Sequence, residues 1–183
     1  MMFRTVFLLG SLACATVAGA QPVRNEVTRA TTPGEDARPN SDAVPEGLAI
    51  STQFERIAIL RFKHEADLLP GIERLLAQQG IVNAVVLSGV GSVRNYQIHT
   101  VSNRTFPSKN MFIKDASTPA DIVGMNGYIL NGRPHIHVTL ADDEKSFGGH
   151  LEPETNVFTF AIVTLGVLPA SLDLNRLDDK TYR

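Results

Sequence analysis

Apolar residues along this 183-residue chain recur with two different periods, and the points where the period changes divide it into elements. From Phe54 the stretch FERIAILRF alternates and is rich in β-branched and aromatic residues, which predicts a strand. The period then lengthens. In ADLLPGIERLLAQQG, Leu68, Leu69, Ile72, Leu75 and Leu76 recur at helical spacing, Pro70 falls in the first turn, and Gly80 marks a stop. IVNAVVLSGVG is a nearly continuous apolar run, predicting a strand that ends in a glycine turn, and VRNYQIHTV alternates as the next strand. Residues 102–118 predict a long loop. ADIVGMNGYIL, RPHIHVTL and NVFTFAIVTLGVL predict further strands, with Asn131-Gly132 as a tight hairpin turn and Asp142-Asp143-Glu144-Lys145 as a charged one.

One long helix placed early, followed by strands whose connections are too short for crossovers, predicts an α+β domain with a mainly antiparallel sheet over residues 51–168. Residues 21–50 carry Pro, Gly, Asn, Ser, Thr and mixed charge without either period, so they predict a flexible leader. Residues 169–183 are mostly polar and predict a loosely attached tail. The first twenty residues have the form of an export signal: Arg4, an apolar run from Val6 to Ala13, and small residues Ala18-Gly19-Ala20 before a cleavage point. The expected location is therefore periplasmic or secreted. The apolar run is shorter than the roughly 20 residues a spanning helix needs, and no later segment predicts a transmembrane helix.

Composition narrows the chemistry. The single cysteine, Cys14, lies within the signal-like segment, where lipid attachment is the lesser alternative, so a processed chain would have no thiolate ligand to offer. A metal would have to use His, Asp or Glu. The formal net charge of −2 gives no basic footprint, which argues against nucleic acid or an anionic membrane as partner.

The segment HIHVTLADDEKSFGGH, residues 135–150, contains three of the five histidines. On a strand His135 and His137 project from the same face, and Gly148-Gly149 removes side chains that would obstruct a close approach of His150 on the return strand. Three neutral imidazoles suit zinc, with Zn–N distances of about 2.0–2.1 Å and a fourth position open to water. The residues alone leave a second reading open, a half-exposed strand face on which His150 finishes a glycine turn.

The stretch GYILNGRPHIHVTLADDEKSFGGHLEPETNVFTFAIVTLGV, with RIAILRF, the helix and VVLSGVGSVRNYQI, resembles the PPC domain, or PD1-like, family. The resemblance covers residues 54–168, and its most specific element is the pairing of His-x-His with Gly-Gly-His. It implies a homotrimer built on an antiparallel sheet with a packed helix, and a metal, usually zinc, on His135, His137 and His150. The chain departs from the family in having Lys63-His64-Glu65 where members often have Gly-Glu, and an apolar last strand near Ile162 where many have a glutamate. Plant relatives lend the family a DNA-binding label, which is the alternative function.

Other features are weaker. Gly89-Val90-Gly91 lacks the third glycine and the following helix of a dinucleotide fingerprint; as a turn it offers Ser88, Gly89, Gly91 and Ser92 as pocket candidates, with a plain hairpin turn as the alternative. Gly132-Arg133-Pro134 is similar to part of an AT-hook but sits in a hairpin. Glu152 shares the histidine face if the strand is regular, and is a candidate base or orienting group, or else an exposed carboxylate before Pro153. Arg61, His64 and His99 read as surface or locally bonded residues. A small polar or anionic molecule is the expected occupant of an open zinc position; whether it is converted stays open.

Overall fold

The computed structural model describes residues 47–104, 109–175 and 177, so the signal-like segment, Cys14 and nearly all of the leader lie outside the described residues. The elements run β1 (Arg56–Lys63), α1 (Leu68–Gln79), β2 (Asn83–Val101), β3 (Asn110–Asp115), β4 (Ala120–Leu130), β5 (Arg133–Ala141), β6 (Ser146–Leu151) and β7 (Asn156–Leu168). They form a seven-stranded sheet in the order β1-β7-β2-β4-β5-β6, with β3 added to β2 and a second pairing of β2 with β6. Every pairing is antiparallel. The strands β2, β4, β5 and β6 therefore close into a ring.

Closure depends on β2 being long. Its first half pairs with β4 and β7, and its last residues pair with β3 and β6. The glycine turn expected at Gly89-Val90-Gly91 does not exist. These residues lie inside one 19-residue strand that changes register against β7 between Val86 and Ser88, between Gly91 and Val93, and between Val93 and Asn95. Such irregularities bend a strand, and a bent strand can serve two edges. Gly91 has φ +143, and a Cβ there would stand 2.1 Å from the carbonyl oxygen of Phe160, so the glycine marks a close backbone approach. The expected loop over 102–118 likewise contains β3, recruited by pairing with the end of β2.

Helix α1 ends as its sequence predicts, at Gly80 with φ 62. It buries Leu68, Ile72 and Leu76, each at most 1% exposed, against the inward residues of the sheet, among them Phe62, Ile136 and Val163. Each such side chain contributes about 1.5–3 kcal/mol by leaving water. The Asn131-Gly132 turn has positive φ at both residues, 53 and 77, as a type I′ hairpin requires. In the described part of the tail, residues 169–175, the chain is packed against the sheet ends. Leu172 and Leu174 pack with Leu130 and Leu168, and the fully buried Asn83 donates to the carbonyls of Pro169 and Leu172 while accepting from the Asn131 amide.

Among the described residues, no helix covers the other face of the sheet. Directly paired residues on antiparallel strands point the same way, so Ile57, Gly166, Val85, Tyr128 and His135 form one row across β1, β7, β2, β4 and β5. Beside that row, Ile59 on β1 is 69% exposed, and Val90 on β2 is 49% exposed. The histidines thus stand at one end of an outward apolar face.

The bend in β2 yields a contrast between two glycines. Gly91→Ala is expected to lower the unfolding free energy by more than about 2 kcal/mol, from backbone strain and collision with β7. Gly124→Ala, where a Cβ would meet open space, should stay within about 0.5 kcal/mol of the unaltered chain. Urea unfolding curves of the two variants measure the difference.

Candidate metal centre

Strand periodicity puts His135 and His137 on one face of β5, with Ile136 between them turned inward and 1% exposed. The ring centroids of the two histidines lie 5.6 Å apart at an interplanar angle of 15°. Register then brings in the third. His137 is paired with His150 on β6, whose ring stands edge-on to both, 5.4 Å from His137 and 4.8 Å from His135. Each histidine offers a nitrogen, and these nitrogens all lie within 4.8 Å of one another. The glycines before His150 allow this approach, since a Cβ on Gly148 would come 2.4 Å from the carbonyl oxygen of Val138 and one on Gly149 2.5 Å from that of His99.

The electrostatics favour unprotonated imidazoles at His137 and His150. Burial, followed by the neighbouring His99, His135 and His137, pushes His150 down from its ordinary value of 6.5 to about 4. His137 is lowered too, first by burial and then by His135 and His99. A proton on any one ring raises the cost of a proton on the next. The lone pairs that a metal needs are thereby kept available.

The donor set fits zinc chemistry. His135, His137 and His150 would hold a zinc ion through one nitrogen each, and those nitrogens lie within 4.8 Å of one another. Three imidazoles without a carboxylate among them favour zinc-like ions over magnesium or calcium.

Two residues stand beside this cluster: Glu152, already a candidate on the histidine face, and His99, whose place there the sequence did not reveal. His99, at the end of β2, is paired with His150, and the two rings stack at 4.5 Å and 25°. Its Nδ1 donates to Glu152 Oε1 at 2.6 Å. Glu152 is therefore not an exposed carboxylate before Pro153, its side chain being 13% exposed, and His99 is not a solvated histidine, at 17%. The pairing of β2 with β6 that unites them has no local signature in the sequence, whose alternation there predicts a strand but not its partner.

The remaining candidates lie elsewhere. Ser88 and Gly89 stand on β2 against Thr164 and Val163 of β7, with β4 between β2 and the histidine strand β5. Gly91 faces Ala161 and Ile122, and the Ser92 hydroxyl is bonded to that of Thr159 at 2.6 Å. Arg61 on β1 lies over the Phe160 ring at 6.0 Å, and His64 Nδ1 donates to the carbonyl of Phe158.

Comparison with known proteins places this geometry in context. The fold is similar to that of the metal-containing protein from Archaeoglobus fulgidus, at 24% identity over 74% of this chain and 96% of that one with a TM-score of 0.58. It is also similar to that of a plant- and prokaryote-conserved (PPC) protein from Pyrococcus horikoshii, at 24% identity over 67% and 85% of the two chains with a TM-score of 0.55. A curated relative, the bifunctional protein GlmU of a Synechococcus strain, is 30% identical over 115 residues, which is 62% of this chain. The chain matches 17% of that relative's length. The family profile described as the Plants and Prokaryotes Conserved (PCC) domain matches residues 49–169, well over half of the sequence, and on that match the chain belongs to the PCC domain family.

Proposed function

We propose that this protein holds a zinc ion on His135, His137 and His150 and uses its open coordination position to bind a small polar or anionic molecule. The observation that carries the reading is the convergence of three imidazoles from two paired strands. Zinc bound in this way would supply a Lewis acid and a fourth position for water or ligand. The described residues next to it provide room. Tyr128, Leu130, His135 and Leu177 line a cavity of about 190 Å³, so a ligand with a polar end at the metal would rest its apolar part against Tyr128 and the leucines.

The assembly belongs to the same reading. The uncovered face that carries Ile57, Ile59 and Val90 is apolar enough to be a contact surface, and a homotrimer closed through it is the arrangement we assign. The N-terminal pattern ending at Ala20 supports an exported, periplasmic or secreted, protein. A chain of net charge −2 has little to attract nucleic acid.

Elemental analysis tests the centre: the unaltered protein should retain about one zinc per chain, and the His135→Ala, His137→Ala, His150→Ala variant close to none. Equal metal content in the two would sink the site. Light scattering should give a trimer for the unaltered chain and smaller species for Ile59→Asp; an unaltered monomer at micromolar concentration would contradict the assembly.

The pH dependence has a definite sign. In the metal-free chain His150 titrates near 4 when folded and near 6.5 when unfolded, so between those values the unfolded state binds more protons. Stability is full above about 6.5 and is lost as the pH falls towards about 4. Thermal melts across that window should show the decline, with a shallower slope in His150→Gln.

A further inference from the structure

His150 has an unusual lack of support from its own strand. The nearest residues that share its face along the strand are Gly148, which has no side chain, and Glu152 just beyond the end of β6. His135 and His137 meet its ring edge-on, at 80° and 81°. Among the described residues, His99 is the ring that lies nearly flat against it. His99 in turn is backed on its far side by Phe112 of β3, its register partner, with centroids 5.1 Å apart. Phe112, His99, His150 and His137 thus stand abreast across β3, β2, β6 and β5.

Glu152 is itself held in place. Its amide donates to the carbonyl of Gln97 at 3.1 Å, which continues the β2–β6 ladder by one step. The hydroxyl of the fully buried Thr155 sits 3.0 Å from the Glu152 carbonyl and 3.1 Å from that of Gln97, and accepts from the Gln97 amide at 3.0 Å. The carboxylate therefore reaches His99 from a backbone that is already fixed to β2. An imidazole whose Nδ1–H is given to such a carboxylate has one tautomer and one ring direction.

We propose that Glu152 and His99 are the positioning residues of the centre: Glu152 fixes the His99 ring, and the His99 ring, stacked on His150, fixes the direction in which His150 presents its nitrogen to His135 and His137. The metal's own ligands remain the other three histidines. This inference rests on the proposed metal reading for its effect on affinity, whereas the ring arrangement stands in the metal-free chain.

The test uses the full chain and Co²⁺ as probe, at a single pH, with His99→Ala, Glu152→Ala and Glu152→Gln. Chelator competition should show His99→Ala and Glu152→Ala binding Co²⁺ about 10- to 100-fold more weakly, the range typical for removal of an outer partner of a ligating histidine. The visible d–d absorption of bound Co²⁺ should change in both, because the ligand field depends on ring orientation. Glu152→Gln should restore affinity and spectrum, since its amide oxygen still accepts from His99 Nδ1. Thermal melts of the metal-free forms report folding separately. If His99→Ala does not fold, the pair Glu152→Ala and Glu152→Gln decides.

Wild-type affinity and spectrum in His99→Ala would overturn the proposal, as would Glu152→Gln binding as poorly as Glu152→Ala. Imidazole nitrogen NMR on the metal-free chain separates this from the metal reading. His99 should appear with its proton on Nδ1, a state lost in Glu152→Ala, and the His150 ring resonances should move in His99→Ala. Those shifts in a chain with no Co²⁺ affinity would remove the metal and keep the ring support; unmoved His150 resonances would remove the support.

Discussion

The structure depends on the continuity of β2. One strand of 19 residues carries pairings that would otherwise need two, and it can do so because its backbone changes register three times against β7. The cost of each irregularity is an interrupted ladder, offset by the hydrogen bonds that the bent strand gains with β3 and β6. Were β2 to end at Gly91, as local turn chemistry suggests, β6 would lose its pairing with the strand end that bears His99. The ring of β2, β4, β5 and β6 and the row of aromatic side chains across it have the same origin.

The two faces of the sheet divide the labour of the molecule. Helix α1 covers the inner face, and the buried aliphatic set there requires little beyond correct volume and alternation. The outer face holds the histidines, and there position matters more than burial. Backbone pairing supplies that position: His137 and His150 are register partners, as are His150 and His99, so a shift of one residue would turn each ring to the opposite side. The register is in turn held by Asn83, Thr155 and the Asn131-Gly132 turn, which join neighbouring segments through buried and part-buried hydrogen bonds.

Much of this was legible in the sequence, and the parts that were not share a cause. The helix, the Asn-Gly hairpin and the shared face of His135 and His137 follow from periods and turn residues within a few positions of one another. Gly148 and Gly149 announced a close approach without saying to what. By contrast, Gly91 looks like a turn residue but serves the close passage of Phe160, a partner 69 positions away in the chain. His99 and Glu152 are separated by 53 positions, and nothing near either residue indicates the pairing that joins them. Leu172 and Leu174 were hidden in a polar tail for a similar reason, as their partners Leu130 and Leu168 lie on strands whose ends meet only after folding.

The row from Ile57 through Gly166, Val85 and Tyr128 to His135 places the histidine cluster at the rim of the uncovered apolar face. In the proposed trimer, a site at the rim of the contact surface would be subject to thermodynamic reciprocity. Whatever factor association imposes on affinity for an occupant of the cluster, the occupant imposes on association. Tyr128, half-exposed between the two regions, is the side chain at which they meet, so in the proposed trimer subunit equilibrium and site occupancy would be two readings of one free energy.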